Sequence, residues 1–285
     1  MARRCLAREI FWLLLIALIA AGVIWFDHTG TLHRLALQQK SSPMLFVGDV
    51  MLARNVETLM DALANNHTYD HGKDAYENTR KTLTAAGLTI GGNPQEISPD
   101  EVIYHIIDDV RVAIIPVNTI GSAPSLTRIT TVLTDAVKKS DAQIVFIHWG
   151  TEYELVANER QRALARALID AGADAIIGHH PHVVQNIEEY RGAPIFYSLG
   201  NTIVDQYWNT DVRVGLAVAV SFGEKKANYT LLPLTSIDAQ SAPRPMNRVE
   251  RLQFLDTLAE RSEPSLKDAI KDGVITELFV RSKNI

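Results

Sequence analysis

The chain has 285 residues, a net charge of −5 and a hydrophobic content of 47%, which is typical of a globular protein. That length is sufficient for one large domain or two small ones with a buried core. Acidic and basic residues are interspersed, so the sequence lacks the basic patch expected of a nucleic-acid-binding protein, and nucleic acid is excluded as a partner. Cys5 is the only cysteine, which excludes an intramolecular disulfide and a thiolate metal site.

The N-terminal residues have the pattern of a membrane anchor. Residues 1–9 carry three arginines, and an uncharged apolar run follows over residues 10–26. This run is just long enough to cross a bilayer, and the arginines predict a cytoplasmic N-terminus. We therefore expect a cytoplasmic segment (1–9), an uncleaved transmembrane signal anchor (10–26) and an extracytoplasmic C-terminal domain. A cleaved signal peptide is the alternative, because Ala20-Ala21-Gly22 offers small residues; a buried core helix is less favoured.

Residues 27–43 are polar without a sustained period and predict a linker that ends at Pro43. Short apolar runs that predict strands alternate with helical stretches beyond it, and this alternation predicts an α/β sheet. The strand-like runs are 44–47, 111–118, 143–150, 174–180 and 193–201, and the helical stretches are 74–87, 127–140 and 158–172. Residues 214–222 and 227–235 predict an antiparallel pair that completes the sheet. We expect one domain over 44–240 and a peripheral helical tail over 241–285.

Ligand-type side chains follow several of the predicted strands. They are Asp49, His148, the cluster His179, His180 and His182, and Asn201; a loop before the first helix adds Asn65, Asn66 and His67. Loops at the carboxyl ends of parallel strands meet at one edge of a sheet, where ligands collect.

Each of these residues also has an ordinary structural interpretation. Asp49 follows a glycine as in many turns, His148 could be satisfied by the backbone, and Asn65 or Asn66 could cap a helix. The sequence HHPH is harder to explain this way, because a proline fixes the geometry between two imidazoles. One or two divalent Mn, Zn or Fe ions suit such a nitrogen and oxygen donor set, and the imidazoles must be neutral to bind them.

The segments GDVM, ANNHTYDHG, HWGTEYE, GADAIIGHHPHVVQ and PIFYSLGN together resemble the bacterial capsule-synthesis family involved in poly-γ-glutamate production. Members of that family are similar to calcineurin-type metallophosphatases, so the resemblance implies a four-layer α/β/β/α sandwich with a metal centre at the strand ends. It implies metal ligation by Asp49, Asn66, His148, His180 and His182, and proton donation by His67. It further implies substrate-contacting or supporting roles for Arg54, Glu152, His179 and Asn201.

The sequence departs from the metallophosphatase pattern in two places. Asp49-Val50-Met51 stands where an Asp-x-His motif is usual, which removes one ligand. The segment between the GDVM strand and the NNH loop is also short, and the Asn-x-Glu motif expected on a later strand is missing; Asn55-Val56-Glu57 lies too close to Asp49 to replace it.

The resemblance implies a single-pass protein of the bacterial cell membrane that acts in the biosynthesis or export of a capsule polymer. The expected partners are an anionic surface polymer or its precursor, the membrane itself and a capsule-synthesis membrane complex. Two functions remain open: a metal-dependent hydrolase of the phosphoesterase type, and a non-catalytic scaffold with an incomplete metal site. A third possibility is a chain that folds poorly because of the shortened segment.

Overall fold

A computed structural model describes residues 43–50, 63–87, 89–238 and 241–278. All of them lie in one compact unit, Pro43–Ile285. The predictions for residues 1–42, which include the transmembrane anchor, lie outside the described residues, as does Arg54. Within the described ranges, no helix is both long and apolar enough to cross a membrane.

The strands, in chain order, are β1 (Met44–Phe46), β2 (Asp49–Val50), β3 (Ile103–Ile107), β4 (Val110–Asn118), β5 (Ala142–His148), β6 (Ala175–His179), β7 (Ile187–Tyr190), β8 (Ala193–Phe196), β9 (Asn201–Ile203), β10 (Val214–Phe222), β11 (Lys226–Thr235), β12 (Arg244–Pro245) and β13 (Val274–Leu278). The helices are α1 (Gly72–Ala85), α2 (Leu126–Val137), α3 (Glu159–Asp170), α4 (Arg248–Arg261) and α5 (Lys267–Asp272). The chain therefore has a mixed α/β structure.

The larger sheet has the strand order β3-β4-β5-β6-β8-β7. Strands β4, β5, β6 and β8 are parallel, and β3 and β7 are antiparallel edge strands. The predicted strands of residues 111–118, 143–150 and 174–180 are confirmed. The run 193–201 divides instead: β8 ends at Phe196 and β9 begins at Asn201.

A second sheet has the order β1-β10-β11-β12, with β13 also paired to β11, and all its pairings are antiparallel. The predicted antiparallel pair of residues 214–222 and 227–235 is confirmed, but it builds this second sheet and does not complete the first. The two-residue strand β2 pairs in parallel with β9, so that Asp49 lies opposite Asn201.

The alternation of side chains along the strands explains the two layers of the core. In β4, Val112 and Ile114 face a cluster shared with the second sheet, whereas Ala113 and Ile115 face α2 and α3. Successive strand residues point to opposite faces, so a strand covered on both faces is apolar throughout. This double burial accounts for the uninterrupted apolar runs from which β4, β5 and β6 were predicted.

Helix α3 begins at a complete capping box. The Asn158 side chain accepts from the backbone N–H of Gln161 at 2.9 Å, and the Gln161 side chain accepts from the backbone N–H of Asn158 at 3.1 Å. These two bonds satisfy amides that the first helical turn leaves unpaired. They fix the C-terminal end of the loop that connects β5 to α3. His148 is the last residue of β5.

The C-terminal segment differs from the expected peripheral tail. Leu255 and Leu258 of α4 and Ile270 of α5 are fully buried in the cluster between the sheets, and β13 extends the second sheet. The exposed surface of α4 is mostly polar or charged, although Val249 and Leu252 are also exposed, and the segment is polar on average. The few apolar residues that pack inward are therefore easily overlooked in the sequence.

The burial pattern of α4 gives a stability prediction. Leu255→Ala should lower the free energy of unfolding by about 3 kcal/mol, because it removes a fully buried side chain and leaves a cavity. Leu252→Ala is the matched control, since Leu252 lies one turn earlier on α4 and is 49% exposed; its effect should stay within about 0.5 kcal/mol. Chemical unfolding of both variants measures the difference, and equal effects would contradict the packing of α4.

Candidate metal centre

Asp49 lies where the two sheets approach each other. Its backbone N–H donates to the carbonyl of Gly200 at 2.8 Å, and the preceding Gly48 N–H donates to Thr202 Oγ1 at 3.1 Å. A Cβ atom on Gly48 would lie 1.9 Å from the Gly200 carbonyl oxygen, so only glycine permits this approach. The buried Asp49 carboxylate accepts the backbone N–H of His180 at 2.9 Å through Oδ2.

His148 and His179 end the neighbouring parallel strands β5 and β6, where they are register partners. Their ring centroids are 4.7 Å apart, and His148 Nδ1 lies 3.8 Å from Asp49 Oδ1. One potential ligand atom from each of Asp49, His148 and His179 lies within 4.8 Å of the others. All three side chains are buried, so the strand ends build a compact group able to hold a cation.

His180 and His182 form a second group with the exposed Glu152, in which one potential ligand atom of each residue again lies within 4.8 Å of the others. Both histidines have positive φ, 99° and 61°, which is uncommon for non-glycine residues. The carbonyl of Pro181 between them accepts the backbone N–H of Tyr153 at 2.8 Å. Such backbone strain persists only where surrounding contacts hold it, and it is concentrated at functional sites.

Asn201 orients His182. Its Oδ1 lies 2.8 Å from His182 Nδ1, while its Nδ2 donates to the carbonyl of Val212 at 2.9 Å and to Gln206 Oε1 at 3.2 Å. Because both amide hydrogens have acceptors, Oδ1 must face the imidazole, and Nδ1 then carries the proton. The lone pair of His182 Nε2 is left for a ligand, as is usual when a neighbouring group selects the tautomer.

The loop of residues 63–71 brings Asn66 and His67 to the same region. Asn66 Oδ1 lies 2.7 Å from His148 Nε2, and Asn65 Oδ1 accepts the backbone N–H of His67 at 2.9 Å. His67 Nδ1 contacts Asp70 Oδ2 at 2.8 Å, and the His67 side chain is 46% exposed. Asn66 therefore belongs to the buried group, whereas His67 lies at its rim.

Burial lowers the pKa of three histidines in this centre. The pKa of His148 is far below its ordinary value because of desolvation and the neighbouring imidazoles. Desolvation lowers the pKa of His179 to about 4, although the Asp49 carboxylate opposes the shift, and the pKa of His180 is lowered in the same way. These imidazoles are therefore neutral near pH 7, which is the form that binds metal ions.

The donor atoms fit a metal ion. The buried Nδ1 atoms of His148, His179 and His180 have no hydrogen-bond partner among the described residues. A buried polar atom without a partner is costly, and coordination would remove that cost. Nitrogen donors with one carboxylate and an amide oxygen suit Mn, Fe or Zn better than Mg or Ca.

The structure thus brings together the residues proposed as ligands: Asp49, Asn66, His148, His180 and His182. His179, proposed only for a supporting role, lies in the same group as Asp49 and His148, and Glu152 joins His180 and His182. Sequence reasoning missed Asp70, although the spacing His-x-x-Asp pointed to it. It also missed Tyr153 and Trp208, whose contacts with the centre depend on loops that no periodic pattern predicts.

The chain was compared with known proteins. Residues 59–206, just over half of the chain, match the family described as "Bacterial capsule synthesis protein PGA_cap"; this range contains the NNH loop and the HHPH segment but begins after Asp49. The PGA biosynthesis protein CapA of Bacillus subtilis (strain 168) is 33% identical over 231 residues, which cover 75% of this chain and 60% of that protein. The capsule biosynthesis protein CapA of Bacillus anthracis is 33% identical over 220 residues, which cover 68% and 53%.

Over a shorter range, the chain is also similar to a "probable polyglutamine synthesis accessory protein" of Mycobacterium tuberculosis (strain CDC 1551 / Oshkosh). The two are 41% identical over 70 residues, which cover 25% of this chain and 18% of that protein. The chain spans between half and two thirds of the Bacillus proteins that it matches. The family match and the two 33% identities confirm the resemblance of the motifs: the chain belongs to the PGA_cap family of bacterial capsule synthesis proteins.

Proposed function

We propose that the protein is a metal-dependent hydrolase of the phosphoesterase type that acts in the synthesis or export of a capsule polymer. The observation that carries the proposal is the convergence of the buried Asp49 with neutral histidines whose Nδ1 atoms have no hydrogen-bond partner in the described part of the chain. Structural metal sites and hydrolytic ones both use such donors. The half-exposed His67 beside this group favours the hydrolytic role.

Three of the four layers of a calcineurin-like α/β/β/α sandwich have counterparts in the fold and support that part of the proposal. Two sheets share one core cluster, and α2 and α3 cover the other face of the larger sheet. The site lies at the carboxyl ends of β5 and β6, which is where α/β folds place ligands. The membrane anchor and the extracytoplasmic location are part of the proposal and rest on the arginines and the apolar run in residues 1–26.

A divalent metal held by Asp49, Asn66 and the histidines would supply a Lewis acid and an activated water when bound. The chain's own contribution begins with Asp70, whose Oδ2 lies 2.8 Å from His67 Nδ1, while His67 Nε2 lies 3.4 Å from Asn66 Nδ2 at the rim of the buried group. In its doubly protonated form, paired with Asp70, His67 would give the Nε2 proton to the leaving oxygen or nitrogen of a phosphate ester, ester or amide and become neutral. Asn201 keeps His182 in the tautomer that leaves Nε2 unprotonated.

The proposed substrate is an anionic surface polymer or its precursor, such as a poly-γ-glutamate-type chain, within a capsule-synthesis membrane complex. The family membership and the names of the Bacillus relatives support this choice. A non-catalytic scaffold is the second candidate. The observation that favours it is Met51, which stands where metallophosphatases usually supply a histidine, because methionine is a poor ligand for hard metal ions.

Metal content is the first test. The full chain, purified in detergent and loaded with Mn or Zn, should retain near-stoichiometric metal by elemental analysis. The double variant His180→Ala/His182→Ala should lose it, whereas His105→Ala should retain it, because His105 is exposed on β3. A folded parent protein without metal would contradict the hydrolase proposal and favour the scaffold.

The role of His67 predicts a separation of activity from metal binding. His67→Gln should lower kcat toward a generic phosphodiester by roughly 10²- to 10⁴-fold, the usual contribution of a general acid, with unchanged metal content. His71→Gln is the matched control, since His71 is exposed in the same loop and its side chain makes no capping bond. Equal kcat values for the two variants would contradict proton donation by His67.

The lowered histidine pKa values predict acid sensitivity of the metal-free protein. Unfolded histidine has a pKa of about 6.5, whereas burial holds the pKa of His179 at about 4. Between these values the unfolded chain binds a proton that the folded chain does not, so the free energy of unfolding falls as the pH is lowered. Above about pH 6.5 this contribution is constant.

Chemical unfolding in a chelator at pH 7 and pH 5 measures this effect. His179→Phe, which retains a ring but cannot titrate, should lose less stability between the two pH values than the parent. Carboxylates contribute to both proteins, so the difference isolates His179. An identical loss in the two proteins would show that His179 is not held neutral by burial.

A further inference from the structure

Two aromatic side chains form an exposed corner beside the candidate metal centre. The Tyr153 ring lies over His182, with centroids 6.1 Å apart and planes at 27°. Trp208 stands edge-on to Tyr153, with centroids 5.7 Å apart and planes at 78°. Tyr153 is 39% exposed and Trp208 is 65% exposed. We call this pair the aromatic corner.

The aromatic corner is held in place by its backbone and its neighbours. Tyr153 has a φ of 66°, which is unfavourable for a bulky residue, and its N–H donates to the Pro181 carbonyl at 2.8 Å. On the other loop, the hydroxyl of Tyr207, next to Trp208, contacts the Val204 carbonyl at 2.7 Å and Ser241 Oγ at 2.6 Å. A ligand would therefore find both rings already positioned, which lowers the entropic cost of binding.

Burial and the neighbouring Glu152 carboxylate raise the pKa of Tyr153, so a negative charge lies beside the aromatic corner. The segments of residues 149–158 and 201–212 contain Glu152, Glu154, Asp205 and Asp211 but no lysine or arginine. Arg213, the next residue after the second segment, donates to the Ile237 carbonyl and keeps its positive charge, and Arg261 lies close to Asp211. The faces of aromatic rings also carry negative charge density. Rings and carboxylates thus attract the same kind of ligand, an organic cation.

We propose that the aromatic corner of Tyr153 and Trp208 binds an alkylammonium group. Contact with the ring faces would stabilise the cation, and the Glu152 carboxylate beside Tyr153 would attract it. The ammonium subsite requires neither a bound metal nor hydrolysis, so it can be tested separately from the proposed function.

The test is ligand-observed NMR with choline and the full chain, purified in nonionic detergent in the presence of a chelator. The compound 3,3-dimethylbutan-1-ol, the uncharged isostere of choline, distinguishes cation recognition from simple apolar contact. Choline should bind saturably, and the isostere should bind markedly more weakly. Butylammonium, a primary ammonium ion, should displace choline when it is added as a competitor. Failure to displace choline would overturn the proposal for primary ammonium groups and restrict it to quaternary ones.

Variants locate the binding. Trp208→Ala should weaken choline binding by about fivefold, in line with an exposed cation–π contact, and Trp208→Phe should recover part of the affinity. Leu252→Ala, which removes an exposed apolar side chain on α4, should bind choline as the parent does. Choline binding that is absent, equalled by the isostere or unchanged in Trp208→Ala would overturn the proposal.

Discussion

The carboxylate of Asp49 is the point on which the candidate site depends. Asp49 follows β1 of the smaller sheet and belongs to β2, which pairs with β9. Its carboxylate accepts the backbone N–H of His180, the first residue after β6 of the larger sheet. A buried carboxylate must be compensated by hydrogen bonds or positive charge. The described residues provide one backbone amide and several imidazoles, and a bound cation would complete the compensation. The same side chain therefore joins the sheets and defines the centre.

The surrounding histidines impose a second constraint. The buried imidazoles of His148, His179 and His180 favour the neutral form, because their charged forms would lose hydration and repel one another. Desolvation accordingly lowers the pKa of His148, His179 and His180. The stacking of Phe146 on His179, with centroids 4.4 Å apart, adds to the apolar surroundings on the strand side. His67 and the aromatic corner, which lie beside the centre, are partly exposed to solvent.

The sequence was most informative where one physical signal dominated. Strands β4, β5 and β6 were predicted because both of their faces are buried, and the helices α1, α2 and α3 were predicted because their apolar residues recur at a helical period. The ligand residues were found because they follow these strands. Strands β3 and β7 were missed, since they are short edge strands with partly exposed residues and no regular pattern.

Contacts between distant segments could not be predicted in the same way. Three features depend on three-dimensional packing, which local sequence patterns do not record. Strands β10 and β11 build a separate sheet, α4 packs into the core, and His179 lies beside Asp49. The roles of Asp70 and Asn201 as partners of His67 and His182 depend on side-chain geometry. Residue spacing alone did not determine which of the candidate residues ligate the same metal centre. That prediction came from the resemblance to the motifs of the capsule-synthesis family.

The hydrogen bond between Asp49 and His180 spans 131 positions of the chain, and the one between Gly48 and Thr202 spans 154. Contacts between residues so far apart form slowly, because a long loop must close before either is gained. The centre can therefore assemble only after the strands up to β9 have been synthesised and both sheets have come together. A nascent or cleaved chain that lacks β9 holds the histidines without their carboxylate partner in place. Tight metal binding by this protein would then require complete folding, and a partly folded chain would not bind the metal ion in the same way.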